Sequence, residues 1–132
     1  MAEQVKVLIA DKMNPKAAAI FRERDIHVDE KPGLSPEELK EIIGGYDGVA
    51  VRSSTKINAA AMDAGLPRVK VIGRAGIGVD TIDVPAASAR GIVVMNTPFG
   101  NSITTAEHAI AMLFALAREI PQAQPATEFH AK

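Results

Sequence analysis

The chain has 132 residues, a formal net charge of -1 and a sequence pI of about 6.3. These values suit one domain with a hydrophobic core, and they indicate neither a basic nucleic-acid surface nor an acidic tail. The absence of cysteine excludes disulfides, thiolate metal sites and a cysteine nucleophile, and an aromatic content of 4% leaves few platforms for stacking on single strands. The N-terminus is strand-like rather than a signal peptide, and the longest apolar run, residues 109–117, is too short to cross a bilayer. We therefore expect a soluble, cytoplasmic protein that binds neither nucleic acid nor a membrane.

Strand and helix patterns alternate along residues 5–95. Short apolar runs predict strands at residues 5–10, 26–28, 47–51, 69–72 and 92–95. Helix-start signals lie between them, at Asn14-Pro15, Ser35, Asn58 and Asp83. The clearest is Ser35, which is followed by a proline and by Glu38, the pattern of a capping box. This alternation predicts an α/β fold, a flavodoxin-like doubly wound parallel sheet with strand order 2-1-3-4-5.

The pattern changes after the fifth strand. Residues 96–102 are a turn-rich joint, and Thr104 with Glu107 reads as a second capping box. The helix that follows is predicted to run to about Glu119, and its middle, residues 109–117, is apolar on every side. One five-stranded sheet cannot cover such a helix, so we expect it to belong to a further structural unit.

Two loops follow adjacent strands of the predicted sheet. The first, residues 52–56, contains Arg52, Lys56 and three hydroxyl side chains. The second, residues 73–80, contains Arg74 and a glycine-rich turn whose backbone N–H groups can face an anion. Ligands of open α/β sheets bind at the carboxyl ends of the strands. The two loops therefore predict a pocket for a small, multiply charged acid.

Four motifs, in order and in spacing, resemble the D-2-hydroxyacid dehydrogenase family. They are Val51-Arg-Ser-Ser-Thr-Lys56, Gly73-Arg-Ala-Gly-Ile-Gly-Val-Asp80, Gly91-Ile-Val-Val-Met-Asn-Thr-Pro98 and Gly100-Asn-Ser-Ile-Thr-Thr-Ala-Glu-His108. The resemblance covers nearly the whole chain and implies an NAD-dependent enzyme in which a split substrate-binding domain flanks a Rossmann domain. It is strongest to members that oxidise 3-phospho-D-glycerate. The resemblance implies three regions in the chain. Residues 1–98 would form part of the substrate-binding domain, residues 99–120 an inter-domain hinge with the first helix of the nucleotide-binding domain, and residues 121–132 a linker.

The resemblance also implies roles for individual residues. Arg52 would hold the phosphate of a small phosphorylated hydroxyacid, and the N–H groups of residues 75–78 would face its carboxylate. The substrate-binding residues are expected to be Arg52, Ser53, Lys56, Arg74, Gly76 and Asn101, and the cofactor-binding residues Ile77 and Thr105.

Each of these residues also has a purely structural interpretation. Arg52 and Lys56 could be solvated cations, Ser53 could make local turn bonds and Arg74 could form a structural ion pair. The glycines of residues 76–78 could serve only the conformation of a tight turn, and Asn101 could cap the helix that follows it.

The chain departs from the family where the chemistry would occur. Gly76-Ile-Gly78 is followed by Thr81 where a third glycine is needed, so the dinucleotide fingerprint fails. The family's catalytic arginine, glutamate and histidine lie downstream of Lys132, so no catalytic residue is expected, and no cluster has metal-ligand spacing. His27, His108 and His130 are not assigned to catalysis. We expect an inactive fragment whose downstream domain binds NAD, and which forms a homodimer or higher homo-oligomer through the helix at residues 102–119.

Three other functions are compatible with parts of this pattern. A family member that reduces glyoxylate or hydroxypyruvate would not need Arg52 for a phosphate. A corepressor-like nucleotide sensor of the same fold would lack turnover. A response-regulator receiver is disfavoured, because Val51-Arg52 stands where its phosphoacceptor aspartate is required.

Overall fold

The computed structural model describes residues 4–122, in which strands and helices alternate. The elements are β1 (Lys6–Ile9), α1 (Pro15–Arg22), β2 (His27–Glu30), α2 (Pro36–Ile42), a 3-10 helix (Ile43–Gly45), β3 (Gly48–Val51), α3 (Ala59–Gly65), β4 (Val71–Arg74), α4 (Val84–Ala89), β5 (Val93–Met95) and α5 (Ser102–Ala117). Contacts divide the chain into two compact units, one ending at Pro98 and one beginning at Phe99. Except for residues 121 and 122, the predicted linker lies outside the described residues, as does His130.

The five strands form one parallel sheet in the order β2-β1-β3-β4-β5. The predicted fold class, strand order and strand direction are confirmed. The order reverses beside β1: the chain moves outward to β2, returns to β3 and then continues in the opposite direction. Because parallel crossovers are right-handed, this reversal places helices on both faces of the sheet.

Helix starts are fixed by short-range side-chain bonds. The side chains of Asn14, Ser35, Asn58 and Asp83 each accept a hydrogen bond from a backbone N–H in the first turn of the helix that follows. The Ser35 capping box is complete, since Glu38 N–H donates to Ser35 Oγ (3.2 Å) and Ser35 N–H donates to Glu38 Oε2 (2.8 Å). These four predicted starts are confirmed.

The two faces of the sheet are covered unequally. On one face α2, α3 and α4 bury a large core that includes Leu8, Leu39, Met62 and Ile72. On the other face, α1 is the one described helix of the first unit that packs, around Ile9, Ala18 and Val28.

The part of that second face beyond α1 is open. Met95 of β5 is 55% exposed, and an apolar groove of about 210 Å³ runs between α1 and the ends of the strands. It is lined by Met13, Phe21, Ala50, Gly73, Arg74, Ala75, Met95, Asn96 and Thr97.

Helix α5 begins at the predicted residue and ends at Ala117, two residues before the predicted end at about Glu119. It begins at Ser102, with Asn101 in the capping position, and Thr105 N–H donates to Asn101 O (2.9 Å). The predicted capping box at Thr104 and Glu107 is therefore wrong, because both residues lie inside the helix. Asn101 makes no side-chain capping bond either, so the first turn is held by backbone bonds alone.

Helix α5 buries no residue, although most of its side chains are apolar. Ile103 is 75% exposed and Leu116 79% exposed. Among the described residues, no helix has both the length and the apolar character needed to traverse a bilayer.

Candidate functional site

The carboxyl ends of β3 and β4 lie side by side and place the two predicted loops together. Val51 pairs with Arg74 in the parallel register, and Ala75 N–H donates to Val51 O (2.8 Å). Strand β4 lies two residues later than predicted, at Val71–Arg74 rather than residues 69–72. The apolar Val69 instead packs in the turn after α3, where its N–H donates to Gly65 O (2.9 Å). Arg74 is therefore the last residue of a strand, not the first part of a flexible turn.

The first loop wraps around Asp11, a carboxylate that follows β1 and is only 3% exposed. Asp11 Oδ2 accepts from the backbone N–H groups of Arg52 (2.6 Å), Thr55 (3.2 Å) and Ser54 (3.3 Å). Asp11 Oδ1 accepts from the Thr55 hydroxyl (2.7 Å). Burial raises the pKa of the Asp11 carboxyl, but the bonds from Thr55, Arg52 and Ser54 together outweigh it, so the pKa is lowered and the group is ionised at neutral pH.

Asp11 is not among the site residues that were predicted from the sequence. A signal was available, because an aspartate directly after a buried run at the carboxyl edge faces the same loops as the predicted site. What the pattern could not show is that three N–H groups, 41 to 44 residues away, would converge on it.

The predicted ligands of the first loop are exposed. Arg52, Ser53 and Lys56 all face solvent, and Arg52 Nη1 donates only to Lys12 O, at 3.3 Å. Within residues 4–122, neither Arg52 nor Lys56 pairs with a carboxylate, and the Ser53 N–H has no acceptor. Lys56 borders a small cavity of about 100 Å³ beside the start of α2, together with Leu34, Pro36, Leu39, Ser54 and Thr55.

Arg74 has a different environment. Its side chain is 12% exposed, its Nε donates to Arg52 O (3.0 Å), and its Nη1 donates to Gly78 O and lies 3.7 Å from Asp80 Oδ1. The guanidinium therefore joins the end of β3 to the glycine turn. This geometry corresponds to the structural ion pair, and a contact with substrate remains a prediction.

The glycine turn makes room for that guanidinium. A Cβ added to Gly76 or Gly78 would lie 3.2 Å from Arg74 Nη1, and at Gly78 it would also lie 2.9 Å from Asp80 Oδ1. Neither glycine has a positive φ. Close approach, rather than a left-handed turn conformation, therefore explains the two glycines.

Only part of the turn offers free backbone donors. Ala75 N–H donates to Val51 O and Gly76 N–H to Arg74 O, so the expectation that these two N–H groups face a carboxylate is wrong. In the part of the chain that the structure describes, the N–H groups of Ile77 and Gly78 have no acceptor. The turn is fixed from outside, since Asn96 Nδ2 donates to Ile77 O (2.7 Å).

Asn101 and Thr105 lie in the second unit. They are four residues apart at the start of α5, so they share one face of the helix, and both are exposed. Their assignment to substrate and cofactor stays a prediction.

The β4–α4 connection does not fit the pyrophosphate of a dinucleotide. Such a site needs an open helix N-terminus directly after a strand. Here nine residues separate Arg74 from α4, a helix of only six residues, and the Asp83 carboxylate already accepts the Ala86 N–H at its N-terminus (3.0 Å). The β4–α4 connection can present N–H groups to a small anion but not bind NAD by its phosphates.

Comparisons with known proteins find similar sequences over most of the chain. The model of the family described as D-isomer specific 2-hydroxyacid dehydrogenase, catalytic domain, matches residues 7–128. The D-3-phosphoglycerate dehydrogenase of Archaeoglobus fulgidus is 49% identical over 119 residues, which cover 90% of this chain and 22% of that protein. The chain spans about a fifth of the length of the curated relatives it matches first.

Two solved structures are similar to this chain. The NAD+-bound 3-phosphoglycerate dehydrogenase of Entamoeba histolytica has a TM-score of 0.73 at 33% identity, covering 86% of this chain and 39% of that one. A glyoxylate reductase from Paecilomyes thermophila has a TM-score of 0.78 at 27% identity, covering 100% of this chain and 44% of that one.

Proposed function

The chain belongs to the family of D-isomer-specific 2-hydroxyacid dehydrogenases, and on that premise we propose that it forms part of the substrate-binding domain of a D-3-phosphoglycerate dehydrogenase. In this proposal the full-length enzyme oxidises 3-phospho-D-glycerate to 3-phosphooxypyruvate with NAD, the first step of L-serine biosynthesis. The observation that carries it is the exposed guanidinium of Arg52, which lacks a carboxylate partner within residues 4–122 and is followed in the chain by the free N–H of Ser53.

The two ends of the substrate need different donors. A planar guanidinium binds phosphate oxygens bidentately, so Arg52 is assigned the phosphate. The free N–H groups of Ser53, Ile77 and Gly78 suit a carboxylate, which accepts several such bonds. Lys56 adds positive charge to the same loop. These residues bind and orient the acid, and no step of hydride transfer is assigned to this chain.

A single substitution in the full-length enzyme tests the proposal. Arg52→Ala should raise KM for 3-phosphoglycerate at least tenfold, because it removes a charge-assisted contact worth about 1.5–3 kcal/mol. The KM for NAD should stay the same. Arg22→Ala is the matched control, because Arg22 is also exposed but pairs with Glu30 (3.2 Å) on a different part of the sheet. An unchanged KM for 3-phosphoglycerate in Arg52→Ala would remove phosphate recognition from the proposal.

The similarity to a glyoxylate reductase favours one alternative, a member of the family whose substrate has no phosphate. In that case Arg52 would be dispensable, and glyoxylate or hydroxypyruvate would be turned over with equal efficiency by the wild type and by Arg52→Ala. Absence of turnover with every hydroxyacid would point to a nucleotide sensor of the same fold instead.

A further inference from the structure

We propose that Asp11 is a positioning residue for substrate binding, holding the Arg52–Thr55 loop in the conformation that presents Arg52 and the Ser53 N–H to the phosphorylated acid. The inference rests on the proposed function. Asp11 itself does not touch the substrate in this proposal, because its carboxylate is buried beneath the loop.

The pattern of bonds sorts the loop's donors into two groups. The N–H groups of Arg52, Ser54 and Thr55 all point inward to Asp11 Oδ2. That leaves Ser53 as the one residue between Arg52 and Thr55 whose N–H has no acceptor within residues 4–122. By binding the donors on both sides of Ser53, the carboxylate turns the Ser53 N–H away from itself, toward solvent at the carboxyl edge.

Arg52 is held through both of its peptide groups. Its N–H donates to Asp11 Oδ2 at 2.6 Å, and its carbonyl accepts from Arg74 Nε at 3.0 Å. The side chain itself makes only the long bond to Lys12 O. The backbone of Arg52 is thus fixed while its guanidinium stays available, which is the arrangement that lowers the entropic cost of ligand binding.

A carboxylate suits this arrangement because the three N–H groups of the loop can only donate. Two oxygens accept these three N–H groups and one hydroxyl, and the negative charge strengthens each bond. An asparagine at position 11 would offer one acceptor oxygen without a charge, and its NH₂ group would make the Thr55 hydroxyl donate to Ala10 O (3.2 Å) instead. The bonds from the N–H groups would be weaker, so the loop would hold Arg52 less firmly.

The test is steady-state kinetics of the full-length enzyme with 3-phosphoglycerate and NAD. Asp11→Asn should raise KM for 3-phosphoglycerate about tenfold while kcat and KM for NAD stay within about twofold, because loop geometry affects acid binding only. Thr55→Val removes the hydroxyl, whose partners are Asp11 Oδ1 (2.7 Å) and Ala10 O (3.2 Å), and keeps the side-chain shape. It should raise the same KM by about threefold, and Thr55→Ser should keep KM at the wild-type value. The Thr55 pair keeps the test informative if Asp11→Asn does not fold.

Asp47→Asn is the matched control. Asp47 Oδ2 likewise accepts a backbone N–H, that of Lys6 (2.7 Å), but at the opposite edge of the sheet. It should lower thermal stability without changing KM for 3-phosphoglycerate. A merely structural Asp11 would behave like this control, and equal KM values in Asp11→Asn, Thr55→Val and wild type would overturn the inference. If Arg52→Ala raises KM and the Asp11 and Thr55 variants do not, the positioning role fails alone, whereas a wild type inactive on 3-phosphoglycerate refutes both proposals.

Discussion

Arg52 and Arg74 have the same side chain and leave the sheet at adjacent strand ends, yet the structure gives them different surroundings. Arg74 is largely enclosed and donates to two carbonyl groups near Asp80. Arg52 is exposed and has one long bond to a carbonyl. A guanidinium whose N–H groups already donate to carbonyl groups has few donors free for a ligand. Arg52 is therefore the better candidate for phosphate binding, and Arg74 the better candidate for joining the two loops.

A second polar contact at the residue scale gives a direct spectroscopic prediction. Tyr46 is the only tyrosine of the chain, which has no tryptophan, and its hydroxyl donates to Asp29 Oδ2 (2.8 Å). Burial raises the pKa of Tyr46, and the bond to the Asp29 carboxylate raises it further, to about 12. Absorbance titration of the folded chain should therefore place the tyrosinate midpoint near 12, with Asp29→Asn moving it down toward 10.0, the ordinary value.

The same shift fixes a pH window for stability. Because the folded-state pKa of Tyr46 lies above the unfolded value, its contribution to the free energy of unfolding is complete below about pH 10 and is lost as the pH rises toward 12. Glu30→Gln is the control for Asp29→Asn, since it removes one negative charge from the same strand without changing the partner of Tyr46, and it should leave the tyrosinate midpoint near 12. A wild-type midpoint at 10 with native circular dichroism would contradict the buried bond.

The sequence predicted which side chains lie near each other at the strand ends better than it predicted the hydrogen bonds beneath them. Arg52 and Arg74 stood out because they follow apolar strands, and the structure does bring them together. The hydrogen bonds from the loop to Asp11 and the burial of Arg74 depend on contacts between turns that are distant in sequence. Hydropathy and spacing give no information on such contacts, so the sequence could not show that Arg52 is exposed and Arg74 largely buried.

At the scale of elements, Gly44 and Gly45 lie where the end of α2 approaches α3. Both lie in the 3-10 turn after α2, and neither has a positive φ. A Cβ on Gly44 would lie 2.9 Å from the backbone oxygen of Ala64 in α3, while a Cβ on Gly45 would meet nothing within 4 Å. The first glycine therefore permits the close packing of α2 and α3, and the second does not contribute to it.

This difference predicts opposite effects for two neighbouring substitutions. Gly44→Ala should lower the free energy of unfolding by about 1–3 kcal/mol, because backbone on the facing helix cannot move aside easily. Gly45→Ala should be neutral or stabilising by about 0.4–1 kcal/mol, because alanine restricts the unfolded chain. Urea denaturation of both variants measures the difference. Equal destabilisation would mean that helix termination, not packing, requires the glycines.

Elements were predictable where their determinants are local. The starts at Ser35, Asn58 and Asp83 depend on residues within one helical turn, and all three are correct. The position of β4 is set by pairing with β3, where Gly48 lies opposite Val71, and this long-range register moved it two residues from its apolar run. For α5 the predicted start at Ser102 is correct and only the predicted capping box is wrong, since the helix begins with a backbone bond from Thr105 N–H to Asn101 O and without a side-chain cap.

At the scale of the whole molecule, each of the two compact units has an apolar surface that the described residues of the same unit do not cover. In the first unit it is the part of the sheet face with Val93 and Met95, and in the second unit it is helix α5. Soluble monomers rarely expose apolar patches larger than roughly a few hundred Å². Burying such a surface contributes about 25 cal/mol per Å², so either one favours association.

We propose that the 132-residue chain self-associates through α5. Ile103, Ile110 and Leu113 form one stripe of the helix, and Met112, Phe114 and Leu116 place apolar side chains on its other sides, all more than half exposed. A helix that is apolar all round is stable in water only when covered, and a second copy offers an identical surface in a two-fold arrangement. Sedimentation should therefore show a dimer or a larger homo-oligomer.

Charge substitutions locate the interface. Leu113→Glu should dissociate the oligomer or unfold α5, because an unpaired carboxylate cannot be buried against apolar side chains, and the sheet of β1–β5 should remain folded. His108→Glu, which places a carboxylate at a position that is already polar and exposed, should leave the oligomer intact. If Met95→Glu dissociates the oligomer and Leu113→Glu does not, the interface lies on the open sheet face. A wild-type monomer with α5 ordered would show that the helix tolerates solvent on every side, and the association would be refuted.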